Sequence, residues 1–323
     1  MKVLFVSGAN TEKIGIPPFI IAQGNSLKQL GVDIAYYPII GKGVKGYLSH
    51  VSKLKKYIKQ NHVDIIHAHY TLSAWICVLA MPKQKIILSL MGKDAYADYV
   101  GYKKRKMSSR YLTILTLLIQ PFVAYIISKS KNIEKYVWLK KKSVIIPNGI
   151  DINRFKPTIV KKNNENKTIL FLGDKFNIRK NFKLVEESIS LLKEQKINLI
   201  TPYPSKHETI VSYMNSCDIL VFPSFMEGSP NVIKEAMACN CPIVATNVGD
   251  IEWLFGGEPG CYLADFTSKD FAKKIEYALR FAEIHKKTNG RNRLIELGLD
   301  SDTVAKKIIN IYKKLLNNNE NLD

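Results

Sequence analysis

Six short runs of β-branched and aliphatic residues recur through the first half of the chain: VLFV at 3–6, VDIAYY at 32–37, VDIIHAH at 63–69, KIILSL at 85–90, AYIIS at 124–128 and VII at 144–146. Continuous apolar runs of this kind suit strands buried on both faces, and the helical stretches between them are the crossovers that parallel pairing requires. The pattern predicts a doubly wound α/β domain. A segment containing Pro147, Asn148, Gly149 and Pro157, then a polar stretch at 161–167, interrupts the rhythm. It resumes with TILFLG at 168–173, DILVFP at 218–223, CPIVAT at 241–246 and a helical pattern over 302–316. At 323 residues the chain exceeds the size at which single cores stop growing. The expectation is therefore two similar α/β domains facing each other across a cleft, 1–150 and 151–323, the second including the final helix. The residues after Leu316 read as a frayed tail.

The formal net charge of +20 is unevenly shared: residues 1–150 hold 23 Lys and Arg against 6 Asp and Glu, residues 151–323 hold 25 against 22. A half so poor in acids is suited to an anionic partner, whether a phosphate-bearing ligand, a nucleic acid or a bilayer. No stripe of aromatics and glycines and no recognition-helix pattern is present, so nucleic acid is set aside. Lys103, Lys104, Arg105, Lys106 and Arg110, with Lys53, Lys55, Lys56 and Lys59, are the candidates for contact with an anionic membrane surface. Residues 111–127 are apolar enough to suggest a short span, but Thr113, Thr116, Gln120 and Pro121 favour a helix ending near Gln120, a turn and a buried strand. Five cysteines are an odd count without metal-ligand spacing, Cys239 and Cys241 are too close for an unstrained bridge, and Met1 leads directly into a strand-like run. Buried thiols in a reducing cytoplasm are expected.

Chemistry concentrates in FPSFMEGSPNVIKEAMACNCPIVATNVGD at 222–250. Ser229 suits an N-cap and Pro230 the first helical position. That leaves Glu227 on the loop and Glu235 about one and a half turns inside the helix. A helix start at the carboxyl edge of a parallel sheet offers free N–H groups and positive dipole to a diphosphate or to sugar hydroxyls, and two carboxylates add acceptors. Either glutamate alone would be an ordinary solvated acid; the pair in this setting points to a ligand.

The segment as a whole, with seven residues between the glutamates and EAMAC after the second, resembles the retaining glycosyltransferases of family 4, which have the GT-B fold. IPNGIDINRFKP at 146–157 is similar to that family's interdomain segment, and ILFLG at 169–173 to the strand opening its donor domain. The resemblance implies a hexosyltransferase that takes a nucleotide-diphosphate sugar as donor and a hydroxyl of a lipid-linked or growing surface glycan as acceptor. It implies retention of anomeric configuration, no cofactor and no metal. Glu235 would bind the nucleotide ribose and Glu227 the donor sugar, with Gly228, Ser229, Asn231 and Val232 supplying amides because Pro230 has none. Lys180 matches the family's phosphate-binding lysine, which makes Glu227 and Lys180 the catalytic candidates. The arginine usual six positions earlier is Asp174 here, and Lys175 or Arg179 is expected to compensate. Gly15 corresponds to the glycine loop that approaches the donor phosphates. SLMGKD at 89–94 resembles the loop after the fourth strand, with Met91 in place of a common histidine and Asp94 as an acceptor-side candidate.

His67 and His69 are expected to reach opposite faces of the sheet, which would defeat a two-histidine metal site; His69, at a strand end, is the other acceptor-side candidate. Asp300-Ser301-Asp302 looks like the metal motif of the other glycosyltransferase fold, but it precedes TVAKKIINIYKKLL, and Asp302 reads as an N-cap. An epimerase would need a dinucleotide-binding Gly-x-Gly-x-x-Gly, which Ser7-Gly8-Ala9-Asn10 does not supply. A sugar-phosphate synthase or a non-catalytic protein of the same architecture is the alternative. The expected location is cytoplasmic, peripheral on the inner face of the plasma membrane.

Overall fold

The computed structural model describes residues 1–9, 15–41, 43–159, 166–193, 196–205 and 207–320. Asn10, part of the polar stretch at 161–167 and the last three residues of the expected tail lie outside them. The strands are β1 (Lys2–Gly8), β2 (Asp33–Ile39), β3 (Ile65–His69), β4 (Lys85–Leu90), β5 (Tyr99–Gly101), β6 (Lys104–Arg105), β7 (Tyr125–Ser128), β8 (Ser143–Ile145), β9 (Lys167–Leu170), β10 (Ile197–Ile200), β11 (Ile219–Phe222), β12 (Ile243–Thr246) and β13 (Cys261–Ala264). They divide between two compact units. The first comprises Met1–Ala97, Met107–Gly149 and the chain from Ser301 on; the second comprises Asp98–Lys106 and Ile150–Asp300.

The first unit is built on a parallel sheet in the order β2-β1-β3-β4-β7-β8. Val3, Leu4, Phe5 and Val6 are wholly buried, as a central strand with both faces covered must be. One sheet face, carrying Val3, Phe5, Ile65, Ile87 and Ile127, packs with Ile20 and Leu27 of helix Pro18–Gln29 and with Val304, Ile308, Tyr312 and Leu315 of helix Ser301–Glu320. That last helix was expected in the second domain. Its apolar stripe instead closes the first sheet, and it continues past Leu316 to Glu320 rather than fraying there. Asp302 lies inside its first turn, not at its cap.

The apolar stretch after Arg110 forms helix Arg110–Ile119, a 3-10 turn over Gln120–Phe122 and then β7. Among the described residues, no helix is long and apolar enough to cross a membrane. Gln120 is fully buried, yet its Oε1 accepts from the amides of Trp138 (2.9 Å) and Leu139 (3.2 Å), and its Nε2 donates to the carbonyls of Thr116 (3.1 Å) and Tyr136 (2.8 Å). The polar break in the apolar run is thus a saturated hydrogen-bond hub.

The second unit has a parallel sheet in the order β10-β9-β11-β12-β13. Helices Phe182–Ile189 and Ser268–His285 contribute to the core on one face, and Asn231–Ala238 with Ile251–Phe255 to the core on the other. The small antiparallel hairpin β5–β6 belongs to this unit, although it comes from the first half of the sequence. Its Tyr102 ring lies 4.5 Å from that of Phe266, and β5 packs on the Ile178–Lys180 turn. All five cysteines are free thiols; Cys217 Sγ and Cys241 Sγ lie 3.5 Å apart in the core.

Candidate functional site

In a doubly wound sheet, ligands gather beyond the carboxyl ends of strands where successive connections leave in opposite directions. In the second unit that point lies between β9, whose chain continues toward β10 on one side, and β11, which continues toward β12 on the other. The two loops meeting there carry the charged residues. After β9, Asp174 accepts from the Phe176 amide (2.9 Å) and Asn177 Oδ1 from the Arg179 amide (3.1 Å), winding the chain into the 3-10 turn Ile178–Lys180. Asn181, in left-handed conformation at φ 51°, ends the turn. The turn is joined to the loop after β11 by the Phe225 amide donating to Arg179 O (2.9 Å) and Asn181 Nδ2 donating to Pro223 O (3.2 Å).

This stitching brings Lys180 Nζ to 2.7 Å from Glu227 Oε1 and Arg179 Nη1 to 3.1 Å from Glu227 Oε2. The Lys180 stem passes Gly173, where an added Cβ would lie 3.5 Å from Lys180 Cγ, and its ammonium lies 5.0 Å from the centre of the Phe222 ring. Burial by itself would raise the Glu227 carboxyl, but the charges of Lys180 and Arg179 outweigh it and hold the group below the usual carboxylate value. Two cations and an ionised acid are thus fixed where the sheet gathers ligands. Asp174 spends a carboxylate oxygen on its own turn, and the second cation beside Lys180 is Arg179, whereas Lys175 is exposed with its ammonium toward the Phe176 ring.

Helix Asn231–Ala238 starts one residue later than expected, with Pro230 at the cap in place of Ser229. Glu235 is buried in it. Asn231 Oδ1 is buried without a hydrogen-bond partner among the described residues. The loop after β12 presses on this region: at Gly249 (φ +68°) a Cβ would come within 2.3 Å of Gly228 O, so only glycine fits. Behind it, burial lowers the Lys234 ammonium to about 8 against the pull of Asp250 and Glu235, and burial lifts Asp250 to about 6 against the pull of Lys234. Lys234 and Asp250 were missed as members of this site. The available signal was a lysine inside the apolar helix IKEAMA and an acid closing ATNVGD.

The first unit holds the remaining candidates. Gly15, at φ +63°, leads into helix Pro18–Gln29. His67 and His69 lie on one face of β3, not on opposite faces, because residues two apart on a strand point the same way. Their rings stack at 4.4 Å with 20° between planes. His67 Nδ1 shares a hydrogen bond with Tyr312 Oη (2.6 Å) and Nε2 with Ser89 Oγ (2.8 Å), so both its nitrogens are occupied by the protein. Both nitrogens of His69 are buried without a partner among the described residues, and its Cα is in register with Ser7 and Ser89. Burial, then neighbouring charge that includes Lys129, pushes both imidazoles well below their ordinary value, so they are neutral.

Asp94 does not present itself to an acceptor. It is wholly buried, with Oδ1 accepting from the amides of Met91 (3.0 Å) and Gly92 (2.8 Å) and Oδ2 from that of Thr71 (3.1 Å). Asp94→Ala leaves these amides without an acceptor, and we expect it to lower unfolding free energy in urea by about 3 kcal/mol. Lys103, Lys104, Arg105 and Lys106 lie on the β5–β6 hairpin or directly after it, in the second unit, whereas Arg110 opens a helix of the first.

Residues 15–154 match the family model described as Glycosyltransferase Family 4, and residues 151–280 that described as Glycosyl transferases group 1. The chain carries a glycosyltransferase family 4 domain followed by a glycosyl transferases group 1 domain. An uncharacterized glycosyltransferase of Methanocaldococcus jannaschii is 28% identical to this one over 76% of this chain and 74% of its own length. The N,N'-diacetylbacillosaminyl-diphospho-undecaprenol alpha-1,3-N-acetylgalactosaminyltransferase of Campylobacter jejuni is 21% identical over 90% of this glycosyltransferase and 88% of its own length. Sucrose-phosphate synthase from Thermosynechococcus elongatus matches its structure with a TM-score of 0.81 at 16% identity, covering 98% of this chain and 99% of that one. Anabaena HepE in complex with UDP gives 0.72 at 15%, covering 97% and 100%. The structural likenesses establish a GT-B fold for this glycosyltransferase.

Proposed function

We propose that this glycosyltransferase moves a hexosyl group from a nucleotide-diphosphate donor to a hydroxyl of a lipid-linked or growing surface glycan, with retention of anomeric configuration. The observation that carries the donor half is the placement of Arg179 and Lys180 on Glu227 at the strand-order reversal of the second sheet. The donor diphosphate takes up these two cations, and Glu227, released from them, turns to the sugar hydroxyls. Glu235 holds the ribose, and the backbone of Gly228, Ser229, Asn231 and Val232 lines the sugar. The bond from the anomeric carbon to the phosphate oxygen breaks as the acceptor oxygen attacks from the same face, and the acceptor proton passes to the departing phosphate. Lys180, Arg179 and the helix start stabilise the charge that develops on that oxygen. The chain's own cations fill the place a metal would take at a diphosphate, so activity is expected to survive EDTA. In the first unit His69 is the acceptor-side residue with unmet hydrogen-bonding capacity.

The acceptor half is supported by the Campylobacter relative, whose name specifies a diphospho-undecaprenol acceptor. In this reading the enzyme works at the inner face of the plasma membrane, with Lys103, Lys104, Arg105, Lys106 and Arg110 toward anionic lipid. The test begins with thermal-shift screening against UDP, GDP, ADP and their sugars, since a ligand bound only by the folded state raises the melting temperature. The stabilising donor is then assayed with lipid-linked and sugar-phosphate acceptors, and the product is read by NMR. An inverted anomeric centre overturns retention, and transfer to the sugar phosphate alone overturns the acceptor assignment.

A further inference from the structure

Helix Arg110–Ile119 buries Leu112, Thr116 and Ile119. Its other side is also apolar: Tyr111, Ile114, Leu117 and Leu118 are 39–57% exposed, and Phe122 and Trp138 nearby are 59% and 56% exposed. These six form one surface. Positions 111, 114 and 118 follow a helical stripe. Trp138 Nε1 donates to Leu117 O (2.9 Å), Trp75 Nε1 to Leu115 O (3.1 Å), and the Trp75 and Phe122 rings lie 5.9 Å apart. A helix apolar all round is one whose second face is covered in use, and a large apolar patch with a polar rim marks an interface.

The rim decides the partner. Residues 107–149 contain seven Lys and Arg, of which Lys129 is buried, and a single acid, Glu134. That acid is already engaged by Lys140 (3.5 Å) and Ser143 (2.5 Å). Lys142 donates to the carbonyls of Pro121 (3.3 Å) and Val123 (2.5 Å), while Arg110, Lys135 and Lys141 are exposed. Two copies meeting through this face would set one basic rim against another, whereas an anionic bilayer satisfies the charge and the apolar residues together.

We propose that this face of the first unit docks on an anionic bilayer, with Leu118, Phe122 and Trp138 entering the headgroup boundary and Arg110, Lys135 and Lys141 pairing with lipid phosphates. This deepens the membrane part of the proposed function, and it names a surface distinct from the basic hairpin of the second unit. Trp138 supplies the readout. The full chain is titrated with phosphatidylcholine vesicles with and without phosphatidylglycerol, following fluorescence and flotation. Wild type shifts its emission to the blue and floats with the anionic vesicles only; Trp138→Phe still floats and loses the shift. Leu118→Asp with Phe122→Asp weakens partitioning at least tenfold while keeping the wild-type melting temperature and nucleotide-induced thermal shift. No blue shift in wild type, undiminished binding by the double variant, or a concentration-dependent dimer that alone buries Trp138 overturns the proposal. If neutralising Lys103, Lys104, Arg105 and Lys106 abolishes flotation while the double aspartate variant binds normally, the membrane reading survives and this surface is wrong.

Discussion

In Lys180→Ala, sugar transfer falls about 10²–10³-fold, the loss that follows removal of one preorganised charge donor from a developing oxyanion. The ammonium is positioned by the protein itself: its stem runs past Gly173, its charge lies by the Phe222 ring, and its hydrogen bond to Glu227 is 2.7 Å. A donor phosphate arriving there therefore finds a cation that needs little reorganisation. Lys180→Arg is expected to recover only part of the loss, because the longer planar fork does not reproduce the reach of a point charge in this confined setting. The measurement is kcat/KM with the donor identified by thermal shift, alongside a melting curve to confirm folding. Turnover near wild type in Lys180→Ala would remove the phosphate assignment altogether.

Glu227→Gln is expected to separate binding from chemistry. The Glu227 carboxylate pairs with the two cations that a diphosphate needs. Neutralising it removes the competitor, so nucleoside diphosphate binds about tenfold more tightly, about 1.4 kcal/mol, while kcat falls about 10²-fold because the sugar loses its charged acceptor. Calorimetric titration with the nucleoside diphosphate is the direct check, and unchanged or weaker binding would mean that the acid does not compete. The same ion pairs have a pH signature. Because the folded carboxyl lies below its ordinary value of 4.5, its stabilisation is complete above that pH and is lost as pH falls through the folded value. The Gln variant lacks that component of acid sensitivity.

What could be read from the sequence follows from how each part is buried. The strands β1, β3, β4, β9, β11 and β12 announce themselves because both faces are covered, which demands uninterrupted apolar runs. At the sheet edges β10 and β13 need no such run: Asn198 is exposed and Cys261 to Leu263 are only half-buried, so they passed unnoticed. The heart of the site, two glutamates around a helix start, was legible because loop chemistry is local. Long-range closure was not. The stripe at Val304, Ile308, Tyr312 and Leu315 shows that the last helix packs on something apolar, but not which sheet. The histidines were misjudged on strand periodicity itself, and Asp94 was mistaken for a ligand group because a carboxylate that serves three backbone amides looks, in sequence, like one that awaits a substrate.

The return of helix Ser301–Glu320 to the first unit has a consequence for how the polypeptide matures. Nearly the whole second unit is synthesised between the first sheet and the helix that covers it. While the ribosome is producing residues 150–300, the face of the first sheet bearing Val3, Phe5, Ile87 and Ile127 lacks Ile308 and Tyr312, and His67 lacks the phenol that takes its Nδ1. Domains ordinarily complete themselves in the order they emerge. Here the order is inverted: the later unit has all its residues, the early hairpin included, while the earlier one still waits, and the nascent chain carries an open apolar face that chaperones are suited to shield until the covering helix emerges.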